Sequence, residues 1–132
     1  MPLNNSKIAV VIPCYRVCHH IVDVINNIPE YVNAIYCVDD GCPDQSGKHI
    51  ENNISDTRVE VLKHKNNLGV GGAMITGYKK ALNDGADIIV KIDGDGQMDP
   101  RLIANFIIPI IENKADYTKG NRFFHQSHRT YP

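Results

Sequence analysis

Apolar positions along the chain fall into two alternating rhythms. Residues 7–13, 34–38, 58–62 and 88–92 are short runs rich in isoleucine and valine. The first and last are nearly continuous in apolar residues, the signature of strands covered on both faces. Between the runs the spacing becomes that of a helix. Ile21, Val24, Ile25 and Ile28 recur at intervals of three and four and stop at Pro29, and residues 45–53 predict a second, short helix. Ile75, Tyr78, Ala81 and Leu82 predict the inward face of a third helix over residues 73–83, ended by Gly85. A fourth, over residues 100–113, carries Leu102, Ile103, Phe106, Ile107, Ile110 and Ile111 as one stripe, with Pro109 expected to kink it. Residues 116–122 close the pattern as a fifth strand. Such strict alternation implies an α/β fold with three α/β/α layers, a mainly parallel, Rossmann-like nucleotide-binding sheet and right-handed crossovers. In sheets of this kind ligands sit at the C-terminal edge of the strands.

That edge is where the polar residues gather. After the run at 88–92, Asp93, Asp95, Gln97 and Asp99 place oxygen-bearing side chains at every second position, with Gly94 and Gly96 permitting a tight turn and close approach of a ligand. Asp99 and Pro100 suit the cap and first turn of a helix. Crowded carboxylates repel one another unless a cation or hydrogen-bond donors compensate, and an all-oxygen set favours Mg²⁺ or Mn²⁺ over zinc. The competing reading is a solvated acidic turn. An EF-hand loop is disfavoured, because its sixth position is Met98 rather than glycine and no glutamate closes it. Asp39 and Asp40 likewise follow directly on a strand. The glycine-rich loop at 66–72 lacks the spacing of a dinucleotide fingerprint, with Met74 where the third glycine belongs, and it follows the third strand rather than the first. Its glycines serve either helix–sheet packing or a ligand.

Composition narrows the classes. At 132 residues with 42% hydrophobic content the chain is long and apolar enough for one domain with a real core. A net charge of −1 offers no field for nucleic acid. No apolar run approaches the roughly 20 residues that span a bilayer, and residues 1–7 lack a signal peptide's apolar core, which predicts a cytoplasmic segment. Cys14, Cys18, Cys37 and Cys42 with His19 and His20 raise a zinc reading, but their spacing is irregular and two of them flank buried strands, so reduced thiols are expected. Residues 123–132, with His125 and His128, read as a polar tail.

Taken together, Ile12-Pro13-Cys14-Tyr15, Val38-Asp39-Asp40-Gly41, Asn67-Leu68-Gly69, Asp93-Gly94-Asp95-Gly96-Gln97 and Gly120-Asn121-Arg122 resemble, in order and spacing, the motifs of inverting family 2 glycosyltransferases, most of all the dolichyl-phosphate mannose synthase branch. The resemblance runs from Lys7 to Arg122. It implies a GT-A type fold and a nucleotide-sugar-binding domain over residues 1–122 that looks truncated. It implies metal-dependent transfer from a UDP- or GDP-linked sugar to a glycan or polyprenyl-phosphate acceptor, as in cell-envelope or polysaccharide synthesis. By the same resemblance, Pro13, Tyr15, Val38 and Asp40 form the nucleoside pocket, Asp93, Asp95 and Gln97 hold Mg²⁺ or Mn²⁺, Gly94 meets the donor through its backbone, and Arg122 lies near the phosphates or the acceptor. One departure stands out: the Asn-Glu that follows Pro-x-Tyr in mannose synthases is here Arg16-Val17. No residue is a candidate for a catalytic base, and the family's acceptor motifs lie beyond the fifth strand. A donor-binding half is the expectation, at the cytoplasmic face of a membrane in a longer protein, with an open sheet edge available for self-association. A non-catalytic nucleotide-sugar-binding domain and a sugar-phosphate nucleotidyltransferase are the alternatives; the glycine-free first loop, residues 13–16, counts against the second.

Overall fold

The computed structural model describes residues 5–111, 118–120 and 127–129. Four parallel strands, β1 (Ile8–Cys14), β2 (Ala34–Asp40), β3 (Val59–His64) and β4 (Ile88–Lys91), form one sheet in the order β3-β2-β1-β4. Between them run α1 (Ile21–Asn26), α2 (Ser46–Asn53) and α3 (Gly69–Asn83); after β4 a short 3₁₀ turn, Pro100–Leu102, leads into α4 (Ile103–Ile111). This is the α/β architecture that the hydrophobic rhythm predicts.

The period of two along each strand divides the core. Ile8, Val10 and Ile12 of β1 point to one face, where they join Ile21 and Ile25 of α1, Ile50 of α2 and Ile103 and Ile107 of α4. Ala9 and Val11 point to the other, with Tyr36, Val38 and the α3 residues Ala73, Met74 and Ala81. Central β1 is therefore buried on both sides, which is why its sequence is apolar throughout.

Two expectations are corrected. In α3 the inward residues are Ala73, Met74, Gly77 and Ala81, whereas Ile75 and Leu82 are 55% and 63% exposed and Tyr78 is exposed too. The cause is close packing. A Cβ at Gly77 would lie 2.3 Å from Val11 Cγ1, so α3 sits too near the sheet there for a β-branched or aromatic side chain to fit beneath it, and the inward face is made of small residues and the unbranched, flexible Met74. The expected fifth strand does not join the parallel sheet. Instead β5 (Thr118–Gly120) pairs antiparallel with β6 (Ser127–Arg129), inside the stretch read as a polar tail. Strands this close in sequence close a short loop at small entropic cost. Among the described residues β4 is an edge strand.

Candidate donor site

The sheet's C-terminal edge carries an open cleft of about 180 Å³. The end of β1 supplies Pro13 and Cys14, and the β1–α1 connection Tyr15 and Val17; β2 supplies Asp40, the first turns of α3 supply Val70 and Ala73, and the loop after β4 supplies Asp93, Gly94 and Asp95. Six of the residues singled out from the sequence, Pro13, Tyr15, Asp40, Asp93, Gly94 and Asp95, thus come together from segments far apart in the chain.

Asp40 is the most constrained of them. It is 3% exposed, and its Oδ1 accepts hydrogen bonds from His64 Nδ1 and from the Leu68 backbone N–H, both at 2.8 Å. Burial by itself pushes the carboxyl up. The hydrogen bonds from His64 and from the N–H groups of Leu68 and Gly69 outweigh it and hold Asp40 below the ordinary carboxylate range. The glycine-rich loop therefore has a concrete role: its backbone donors secure the cleft carboxylate. Gly41 makes the contact possible, since a Cβ there would lie 2.8 Å from the Asn67 nitrogen, and its φ of +65° is itself one that favours glycine.

On the opposite wall, Asp93 and Asp95 are exposed to solvent. The Lys91 ammonium stands 3.6 Å from Asp93 Oδ1, and Asp95 Oδ1 accepts from the Gln97 N–H at 3.0 Å, with Gly96 turning the chain at a φ of +81°. Gly94 is buried; a Cβ there would press to 3.2–3.3 Å on Ile21 and Val17. Among the described residues no three His, Cys, Asp or Glu side chains gather as a metal-holding group. An ion at this wall would rest on Asp93, Asp95 and oxygens brought by its own ligand. Such a ligand-poor, all-oxygen set fits Mg²⁺ or Mn²⁺.

Tyr15 is 42% exposed at the cleft mouth, with the Arg16 guanidinium carbon 5.4 Å from its ring centroid. Arg16 adopts a left-handed φ of 58°, and its N–H donates to Cys42 Sγ at 2.8 Å. The Arg16-Val17 pair that departs from the mannose synthases thus shapes this wall, Arg16 through an unusual backbone and Val17 by lining it.

Other predicted residues lie elsewhere. Val38 is fully buried beneath α3 and does not line the cleft. Gln97 is exposed and engages the cleft wall through its backbone. Asp99 belongs to the helix start, where Oδ1 accepts from the Arg101 N–H at 2.9 Å and the carboxylate grips the Arg101 guanidinium. Arg122 lies outside the described residues. The cysteines form no common site: Cys14 and Cys37 are buried within β1 and β2, and the Cys14 thiol is pushed up by its hydrogen bond with Cys37 and by burial. Sequence reasoning missed His64 and Thr76, which stand behind Asp40. His64 ends β3 at the same sheet edge, so the rule that flagged Asp40 and Asp93 would have found it.

The family described as glycosyl transferase family 2 matches residues 9–131. A UDP-N-acetylglucosamine–dolichyl-phosphate N-acetylglucosaminyltransferase of Methanococcus voltae is 40% identical over 91% of the chain and 53% of its own length. A dolichol-phosphate mannosyltransferase of Pyrococcus furiosus is 28% identical over 89% of the chain and 33% of its own. The chain therefore spans about half, or less, of the length of these two relatives. Among solved structures, the mannosyltransferase PcManGT of Pyrobaculum calidifontis, in complex with GDP-Man and Mn²⁺, superposes with a TM-score of 0.65 at 18% identity, over 80% of this chain and 32% of that one. That likeness identifies the sheet and helices as the GT-A fold. With a family match along nearly its whole length and a 40% identical relative across 91% of it, the chain belongs to glycosyl transferase family 2, on its dolichyl-phosphate mannose synthase-like branch.

Proposed function

We propose that this chain is the donor-binding part of a metal-dependent, inverting glycosyltransferase that moves a sugar from a UDP-linked donor to a polyprenyl phosphate. The observation that carries the reading is the convergence of Asp40 with Asp93 and Asp95 on one cleft, from strand ends more than fifty residues apart. UDP is preferred to GDP because the 40% identical relative is named for a UDP sugar and because Arg16-Val17 replace the Asn-Glu of the mannose synthases.

Asp40, held ionised, accepts a hydrogen bond from an N–H or O–H of the nucleoside. Tyr15 offers an exposed ring against which a base can stack, with Pro13 beside it. Val38 supports this wall from beneath. Gly94 keeps the backbone open to the diphosphate, and Arg122 supplies positive charge near the phosphates or the acceptor. Asp93 and Asp95, with Gln97, would hold Mg²⁺ or Mn²⁺, which as a Lewis acid stabilises the charge developing on the leaving diphosphate. A phosphate acceptor needs no general base. A hydroxyl nucleophile must lose its proton to a carboxylate, whereas a phosphomonoester, whose second pKa is about 6, is already anionic at neutral pH. The donor-binding unit is residues 1–122. No described helix is long and apolar enough to cross a membrane. A lipid-linked acceptor would be met at the cytoplasmic membrane face. The free edge of β4 is where copies of the chain would associate.

Calorimetric titration with UDP, UDP-N-acetylglucosamine and GDP, with Mn²⁺ and with chelator, tests the reading. Binding of the uridine nucleotides that requires Mn²⁺ and disappears in Asp95→Ala, at an unchanged melting temperature, is the expected result. Equal binding by Asp95→Ala would sink the metal assignment, and a preference for GDP would overturn the choice of base.

A further inference from the structure

Behind Asp40 lies a relay that leaves the cleft. His64 is its neighbour across the β2–β3 ladder, and the His64 ring, whose side chain is 12% exposed, bridges two partners. Nδ1 lies 2.8 Å from Asp40 Oδ1 and Nε2 lies 2.8 Å from Thr76 Oγ1, two turns into α3. The Thr76 hydroxyl is also 3.1 Å from the Gly72 carbonyl oxygen.

The protons can be placed from these contacts. An ionised carboxylate only accepts, so Nδ1 must carry a hydrogen. The Thr76 hydroxyl has one proton. If it donates to the Gly72 carbonyl, it accepts from Nε2–H and the ring is an imidazolium. If it donates to Nε2, the ring is neutral and still protonated on Nδ1. In either state Thr76 leaves Nδ1–H directed at Asp40, although a neutral imidazole in water favours the Nε2–H tautomer. The Leu68 N–H reaches the same oxygen as Nδ1. A carboxylate offers about four lone-pair sites, so acceptor capacity remains for a ligand.

We propose that His64, with its Nδ1–H tautomer set by the Asp40 carboxylate and its far ring nitrogen held by Thr76, is a positioning residue for the donor site: it fixes the rotamer of Asp40, keeps that acceptor aimed at the cleft, and thereby sets affinity for the nucleotide. This rests on the donor-site reading above. His64 itself does not line the cleft and acts through Asp40. Because Thr76 lies on the helix that also contributes Val70 and Ala73, the relay ties two sides of the cleft, β2 and α3, together.

Two measurements test it. In alkaline buffer, with histidine labelled by ¹⁵N, the His64 ring nitrogens of the wild-type chain should report the Nδ1–H tautomer; an Nε2–H ring overturns the relay, and this readout needs no variant to fold. UDP titration in Mn²⁺ then compares wild type, His64→Ala and His64→Asn. His64→Ala should weaken UDP by roughly tenfold or more, the effect of losing one hydrogen bond to a charged group. His64→Asn places an amide N–H where Nδ1 stood and should restore most of the affinity. Wild-type binding that survives His64→Ala overturns the positioning role alone, as does a folded His64→Asn as weak as His64→Ala. A wild-type chain that binds neither UDP nor GDP overturns the donor-site reading and this role with it.

Discussion

Asp39 and Asp40 are adjacent in sequence and opposite in task. Successive side chains of a strand point to opposite faces, so Asp39 turns toward α2 and Asp40 toward the cleft and α3. Asp39 is 8% exposed, and its two oxygens accept the backbone N–H groups of Cys42 and Gly47, each at 2.9 Å. Gly47 is required by this contact, since a Cβ there would lie 2.7 Å from Asp39 Oδ2. Asp39→Ala strands two buried donors and is expected to cost roughly 2–6 kcal/mol, at about 1–3 kcal/mol per unsatisfied group, read from the urea midpoint. Asp40→Ala removes the proposed ligand acceptor itself, so nucleotide titration should report the larger change there.

At the scale of elements, α3 is governed by how closely it approaches the sheet. Gly77→Ala drives a methyl into the buried, β-branched Val11 and should destabilise by about 1–3 kcal/mol, the usual cost of overpacking, even though alanine favours a helix. By contrast, Ile75→Lys and Leu82→Lys alter side chains already in solvent and should each move stability by no more than about 0.5 kcal/mol. Chemical denaturation of the three variants separates this arrangement from the inward orientation that helical spacing suggests.

For the whole molecule, acid is the informative stress. Burial opposes ionisation of Asp44, but hydrogen bonds from the Cys42 thiol, the Ser46 hydroxyl and Cys18 outweigh it and bring the carboxyl down to about 2. Asp56 is held low by its bonds from Arg58, which offset burial, and Asp40 by His64 and backbone donors once burial is overcome. A lowered carboxyl adds stability that is complete above the unfolded-chain value near about 4 and is lost as the pH falls through the folded value. The urea midpoint should therefore fall between about pH 4 and about pH 2, the lower bound being the Asp44 value. A midpoint that holds through this window would contradict these hydrogen bonds.

The order of strands and helices, the double burial of β1 and the gathering of Asp40, Asp93 and Asp95 at one sheet edge were legible in the sequence. Each follows from a local period or from the rule that parallel strands deliver their C-terminal residues to a common edge. Tertiary structure alone decided which large apolar residues of α3 face outward, because both of its flanks carry apolar residues and only the clearance over Val11 selects one. It also decided that Val38 lies beneath the cleft wall, that β5 pairs with β6 rather than with the main sheet, and that His64 and Thr76 stand behind Asp40. Those outcomes depend on distances between segments far apart in the chain, which periodicity along one segment does not encode.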